Sequence, residues 1–248
     1  MDSIVWRVDE VTSIDSTNSW LVEQARGGAP EGRAILAGFQ RAGRGRLDRS
    51  WEAPAGSALL LSLLLRPATL RGASWATSAV ALAARSALVR LSGVRPRLKW
   101  PNDLVMDDEK LGGLLAELAT DEPPTVVVGL GVNLTACPPG LAATSVKDRS
   151  GVTLWPRALA DIVFEEVELR RHLLDDERGL ATLRDEYRGA SATLGRPVQV
   201  TLLERAVLGD AVDVDADGAL VVDVDGERRV SRAADVVHLR PQSSAGNQ

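Results

Sequence analysis

Apolar positions recur along the chain with a period near two at both ends and with helical spacing in between, and the two periods predict the elements. Ile4 to Val11 alternates loosely and predicts a strand. Asp15-Ser16-Thr17-Asn18 is a run of helix-capping residue types, and a helical stretch follows to Gly27-Gly28. Ala34 to Gln40 predicts a buried strand, a loop runs to Gly56, and Ala58 to Leu65 predicts an apolar strand. Gly72 to Leu91 is alanine-rich with helical apolar spacing, which predicts a long packed helix. Arg97 to Trp100 reads as a short strand stopped by Pro101. Leu104 to Met106 and Lys110 to Leu118 predict a hairpin around Asp107-Asp108-Glu109, and Thr125 to Leu134 a continuous apolar strand. A loop begins at Pro138-Pro139-Gly140 and runs to Gly151, followed by helices over about Trp155 to Leu174 and Glu177 to Thr193.

From Gly195 the pattern changes. Val198-Gln199-Val200, Val212-Asp213-Val214 and Val222-Asp223-Val224 alternate with period two, and Asp217-Gly218 and Asp225-Gly226 are hairpin signals. The expected fold class is therefore α+β: a mixed sheet with helices over residues 1–193, then a small all-β barrel over 194–241 and a polar tail over 242–248.

Composition narrows the functions. Apolar residues make up 45% and charged residues 25%, with a formal net charge of −5, so a basic nucleic-acid footprint is absent overall. One cysteine allows no internal disulfide, no apolar run reaches the ~18–20 residues that span a bilayer, and Met1-Asp2-Ser3-Ile4 is not a basic leader. These readings predict a cytoplasmic protein. Of 29 cationic residues only three are lysines, Lys99, Lys110 and Lys147, and the first two lie beside the most motif-like residues.

The candidate chemistry starts at Gln40-Arg41-Ala42-Gly43-Arg44-Gly45-Arg46. Glycines let such a loop approach a ligand closely while the arginine forks reach an anion. Arg49, Lys99 and Lys110 add further positive charge. Five cations converging on one cleft would bind a polyanion and stabilise charge on a leaving group. Trp100-Pro101-Asn102 is a rigid corner that would turn Lys99 and Asp103 toward one site. Two glycines, Gly112 and Gly113, follow Lys110 in a strand and mark close approach by a ligand or another backbone. By themselves Ser16-Thr17-Asn18 are a helix cap, and the arginine loop a solvated surface loop. The chain has no phosphate-binding P-loop, no complete dinucleotide fingerprint and no nucleophile elbow, and the metal ligands, if any, are unknown.

Taken together and in order, Ser16-Thr17-Asn18, Gln40-x-x-Gly43-Arg44-Gly45-Arg46-x-x-Arg49-x-Trp51, Lys99-Trp100-Pro101-Asn102-Asp103, Lys110-Leu111-Gly112-Gly113 and Gly129-Leu130-Gly131-Val132-Asn133 resemble the biotin protein ligase family. The resemblance covers residues 12–135 and extends more weakly to Val237-His238-Leu239-Arg240. It implies a catalytic domain related to those of lipoate ligases and class II synthetases, followed by an SH3-like barrel. It implies activation of biotin by Mg-ATP to biotinyl-5′-AMP and transfer to a lysine of a biotin carboxyl carrier protein, with no prosthetic group.

By the same resemblance, Ser16, Thr17, Asn18, Gln40, Gly112 and Gly113 bind biotin, and Arg44, Gly45 and Arg46 sit on a loop closing over biotin and the adenylate. Lys110 holds the reacting carboxylate and phosphate, Arg49 and Lys99 face the phosphates with Arg44, and Asp103 prepares the incoming lysine. Asn133 lies near the adenosine and Arg240 near pyrophosphate. Leu47-Asp48 departs from the family pattern and places an acid inside an anion-binding loop. A chain that opens on the catalytic motifs leaves no room for a helix-turn-helix domain, so the expectation is a ligase that binds neither DNA nor membrane; a homodimer is left open. The competing readings are a lipoate or other acyl-acid ligase on the same scaffold, and a non-enzymatic binding module. A dithiolane offers little to a polar floor, and net acidity disfavours a nucleic-acid module.

Overall fold

The computed structural model describes residues 4–47, 49–138, 140–202, 205–232 and 236–238. Its first unit is a seven-stranded mixed sheet. The strands are β1 (Arg7–Val11), β2 (Arg33–Ala37), β3 (Ala58–Leu65), β4 (Arg97–Lys99), β5 (Asp103–Met106), β6 (Glu109–Asp121) and β7 (Pro124–Asn133), in the spatial order β1-β2-β3-β7-β6-β5-β4. Only β1 and β2 pair in parallel; the other neighbours are antiparallel. The α+β reading stands.

Most expected elements form where their periodicity placed them. Helix α1 (Thr17–Arg26) is capped by Ser16, whose Oγ accepts from Ser19 N at 3.3 Å, and α2 (Leu70–Ser92) by Thr69. The β5–β6 hairpin turns on Asp107 and Asp108, both at positive φ (49° and 67°), a conformation aspartate tolerates better than most side chains. Some bounds shift. Strand β2 ends at Ala37, and Gln40 leaves it for an isolated bridge to Ile14. The loop expected up to Gly151 contains a one-turn helix, α3 (Val146–Ser150), capped by Ser145 and ended by Gly151 at φ 72°; one turn is too short to show periodicity. Helix α4 spans Pro156–Arg171, and α5 (Glu177–Ala190) stops short of Thr193 because Ser191 bridges Leu98.

Strand alternation decides which face holds what. Leu59, Leu61, Leu63 and Leu65 of β3 and Val126, Val128, Leu130 and Val132 of β7 join α2, α4 and α5 in the main core. On the other face, α1 packs Leu21, Val22 and Ala25 against Ile35, Leu64 and Val127. Beside that small cluster the same face carries Ser62, Gly129 and Gly131, where side-chain volume is missing. No helix among the described residues is long and apolar enough to cross a membrane.

The second unit is an antiparallel sheet of β8 (Pro197–Leu202), β9 (Arg205–Val214), β10 (Leu220–Val224), β11 (Glu227–Ser231) and β12 (Val236–His238), ordered β11-β10-β9-β8-β12. Asp225-Gly226 forms the expected tight hairpin, with φ 55° and 86°. Asp217-Gly218 instead belongs to a wider loop held by Asp215, whose Oδ1 accepts from Asp217 N and Ala219 N, both at 2.9 Å. This loop docks on the first unit: Trp75 Nε1 donates to Ala216 O (2.8 Å) and Trp100 Nε1 to Gly218 O (3.0 Å). The main core continues through Val198, Val200, Ala211, Val214, Leu220 and Val222. Residues 242–248 lie outside the described residues.

His238 makes this docking sensitive to acid. Trp100 N donates to Thr193 Oγ1 (2.9 Å), and Thr193 Oγ1 lies 3.0 Å from His238 Nε2. His238 Nδ1 lies 3.4 Å from Asp108 Oδ1, which Arg196 also holds at 2.7 Å. Burial lowers the His238 pKa below its usual 6.5; Asp108 works against that, while Lys99 and Arg196 add to it. The unfolded chain therefore takes up this proton more readily, and stability falls as pH drops through and below about 6.5. Asp108, held near 2 chiefly by Arg196, titrates well below that window. The expected result is that melting temperature drops more between pH 7 and pH 5 in the wild type than in His238→Gln. Equal drops would rule out this linkage.

Candidate active site

The site is a cleft of about 330 Å³ on the α1 face of the mixed sheet. Its floor follows from register: Ser62, Gly129 and Leu115 are neighbours across β3, β7 and β6, and so are Leu60, Gly131 and Gly113. The glycines make the room. A Cβ on Gly129 would stand 2.4 Å from Asn18 Oδ1, and one on Gly131 2.6 Å from the Trp51 ring.

The start of α1 supplies the polar wall. Thr17 donates to Gln40 Oε1 from its backbone N (2.8 Å) and from Oγ1 (2.9 Å). Ser62 Oγ lies 2.8 Å from Thr17 Oγ1 and 2.7 Å from Asn18 Oδ1. Asn18 Nδ2 donates to Leu115 O (3.0 Å) and to Glu117 Oε2 (2.8 Å). Ser16, Thr17 and Asn18 are thus both helix cap and cleft wall; the two readings were never exclusive. With Gln40 Oε1 engaged twice, the donors left on the Gln40 amide are those of Nε2.

The glycine–arginine loop folds back on itself at the rim. Arg44 bridges Ser50, Gly45 N donates to Arg49 O (2.7 Å), and Trp51 N donates to Gly43 O (2.9 Å). Gly43 is required at this crossing, since a Cβ there would meet Trp51 O at 2.3 Å. Leu47 sits at φ 54°, and Asp48 lies outside the described residues. Trp51 anchors the loop against Gly131 and the cluster of Ala37, Ala58 and Leu60.

Opposite the loop, the Trp100-Pro101 corner is fixed from two sides. Asn102 Nδ2 donates to Leu114 O at 2.5 Å, Leu114 N donates to Asn102 O at 2.9 Å, and the β9–β10 loop holds the indole. Lys110 Nζ pairs with Asp103 Oδ1 at 2.7 Å and lies 5.6 Å from the Trp51 ring centroid. Gly113 leaves space for that pair: a Cβ there would lie 3.2 Å from both Lys110 Nζ and Asp103 Oδ1.

Arg44, Arg46, Arg49, Lys99 and Lys110 all line this cleft, against one lining carboxylate among the described residues, Asp103. Ser16, Thr17, Asn18, Gln40, Gly45 and Gly113 line it too. Two expected residues do not. Gly112 is buried beneath the floor, where a Cβ would meet Gly131 O at 2.6 Å, so its role is the close approach of β6 and β7. Asn133 is also buried: its Nδ2 donates to Thr144 O (3.1 Å) and approaches Lys110 O (3.4 Å), bracing the loop before α3. Arg240 lies outside the described residues. Among the described residues no group of three or more His, Cys, Asp or Glu side chains is placed to hold a metal ion.

Sequence reasoning missed two residues. Ser62 was legible as the lone hydroxyl in Ala58–Leu65, a strand otherwise wholly aliphatic. Glu117 carried no signal, because an acid on a half-exposed strand face is ordinary.

A mixed sheet with a glycine-carved polar floor, a cationic rim and a docked C-terminal β unit defines the class, an α+β ligase-type catalytic domain with a small β module. Residues 10–133 match the model of the biotin/lipoate A/B protein ligase family, and residues 193–239 that of the biotin protein ligase C terminal domain. The biotin--[acetyl-CoA-carboxylase] ligase of Mycobacterium tuberculosis is 36% identical over 245 residues, covering 95% of this chain and 90% of that protein. The bifunctional ligase/repressor BirA of Escherichia coli K12 is 31% identical over 223 residues, covering 86% and 68%. The solved biotin protein ligase from Aquifex aeolicus in complex with biotin and ATP superposes with a TM-score of 0.80 at 24% identity, over 94% of this chain and 99% of that one, a likeness of fold. The chain belongs to the biotin/lipoate A/B protein ligase family and carries the C-terminal domain of its biotin protein ligases.

Proposed function

We propose that this cleft joins biotin to AMP at the expense of ATP and passes the biotinyl group to a lysine of a biotin carboxyl carrier protein. The observation that carries the reading is the convergence of five cationic side chains and one hydroxyl–amide floor on a single cavity. A carboxylate and a triphosphate repel each other, so their approach needs positive groups held in place beforehand. A ureido ring has both donors and an acceptor to satisfy, and Thr17, Asn18, Gln40 and Ser62 offer both kinds of partner.

In the first step a biotin carboxylate oxygen bonds to the α-phosphorus, the bond to the bridging oxygen of the β-phosphate breaks, and pyrophosphate leaves. Lys110 would screen the two reacting anions, exchanging its partner Asp103 for them. Arg44, Arg46 and Arg49, which line the cleft from the loop, and Lys99, which lines it from β4, would neutralise the phosphates. Mg²⁺ would enter with the nucleotide and screen its phosphates. In the second step the lysine amine attacks the acyl carbon, AMP leaves, and the amine loses a proton. Asp103, released from Lys110, is the group placed to orient or take up that proton. Asn133 would support the adenosine end indirectly, through the loop before α3 that its amide braces. The reading places the reaction in the cytoplasm and needs no prosthetic group, DNA or membrane.

The test mixes protein, Mg-ATP and either biotin or lipoate and follows acid-dependent pyrophosphate release. Turnover with biotin alone is expected. Turnover with lipoate alone, or with neither acid, would overturn the proposal.

A further inference from the structure

Glu117 places a second carboxylate, in addition to Asp103, next to a cleft lined by five cationic side chains. It lies on β6 two residues past Leu115, and strand alternation puts both on the cleft face. Its two oxygens are divided between two parts of the site. Oε2 accepts from Asn18 Nδ2 at 2.8 Å, and Oε1 accepts from Arg44 NH1 at 2.9 Å. The Asn18 amide is in turn fixed at its other end by Ser62 Oγ at 2.7 Å. Arg44 also reaches Ser19 Oγ at 3.3 Å, so both of its partners hold the loop to the wall formed by α1 and β6. A continuous chain, Ser62–Asn18–Glu117–Arg44, therefore runs from the floor to the glycine–arginine loop.

We infer that Glu117 is a positioning residue that transmits filling of the amide floor to the loop. A ligand that immobilises Asn18 immobilises the carboxylate, and the carboxylate holds the guanidinium that seats the loop. This rests on the proposed function, since the ligand that fills the floor is biotin. The carboxylate side chain is 23% exposed and Arg44 50% exposed, so the ion pair is a modest tether.

The test compares the wild type with Glu117→Gln, which keeps an acceptor for Asn18 and loses the charge that holds Arg44. Biotin affinity is read by calorimetry, and hydrogen exchange is followed at the amides of Gly45, Arg49 and Trp51. In the wild type, biotin is expected to slow these amides. In Glu117→Gln, biotin should bind within about threefold of wild type while the slowing shrinks by about two- to fivefold, the range of a half-exposed ion pair. Arg44→Gln should lose the same part of the slowing, and the double variant no more than either single one. Unchanged slowing in Glu117→Gln, or additive losses in the double variant, would overturn the inference. So would a fall in affinity beyond about tenfold, which would make Glu117 part of the biotin floor. Failure of the wild type itself to bind biotin would instead overturn the proposed function.

Discussion

Lys110→Ala should lower biotin-dependent pyrophosphate release by about 10²–10³-fold, the usual cost of removing one preorganised group that stabilises developing charge. The Lys110 ammonium stands between Asp103 and the Trp51 ring, over the space that Gly113 leaves open. Lys99 is the cross-strand neighbour of Asp103 and also lines the cleft, but the ion pair to Asp103 comes from Lys110; Lys147 is exposed on α3. Lys147→Ala is the control and should change the rate by less than about threefold, as expected for a surface substitution. The fold should survive Lys110→Ala, because a side chain 40% exposed contributes little to stability through its ion pair. The measurement is initial-rate pyrophosphate release at saturating biotin and Mg-ATP. Equal effects of the two substitutions would refute the role given to Lys110.

Gly129→Ala tests the floor instead of the rim. The added methyl carbon would stand 2.4 Å from Asn18 Oδ1 and 3.0 Å from Asn18 Cγ. Asn18 cannot step aside without breaking its bonds to Leu115 O, Glu117 and Ser62. Overpacking of this kind costs about 1–3 kcal/mol, and here the strain falls on the group that would meet the ligand. Biotin affinity measured by calorimetry should weaken by about 10- to 100-fold. Gly189→Ala, on α5 with nothing within 4 Å of the added carbon, should leave affinity unchanged. A Gly129→Ala protein that binds biotin as tightly as the wild type would show that the floor lies elsewhere.

The glycines show how far sequence reading reaches. Gly43 and Gly113 stood out as glycines where a loop or strand comes close to another group, and Gly129 and Gly131 as glycines within an apolar strand. What each one approaches could not be read: Trp51 O, the Lys110–Asp103 pair, Asn18 and the Trp51 ring lie on other elements. Gly112 gave the same local signal as Gly113 and faces the opposite way, into the packing of β6 on β7. The irregularity in β5–β6 pairing at Leu104 and Val105 lies just beside this pair, and register is a property of two strands together. Asn133 shows the same limit. A polar residue ending an apolar strand next to a motif has the signature of a ligand contact, and no local pattern shows that its Nδ2 is held by the loop carbonyl of Thr144.

The long helices, most strands, the small β unit and the identity of the cations were written in the one-dimensional pattern, because periodicity, capping residues and residue chemistry are local properties. The cleft itself was not. Ser62 belongs to the floor only because β3 lies between β2 and β7, and Glu117 meets both Asn18 and Arg44 only because α1 and the glycine–arginine loop come together against β6. Which side chains share a cavity depends on register and packing between segments far apart in the chain, and no window of neighbouring residues contains that information.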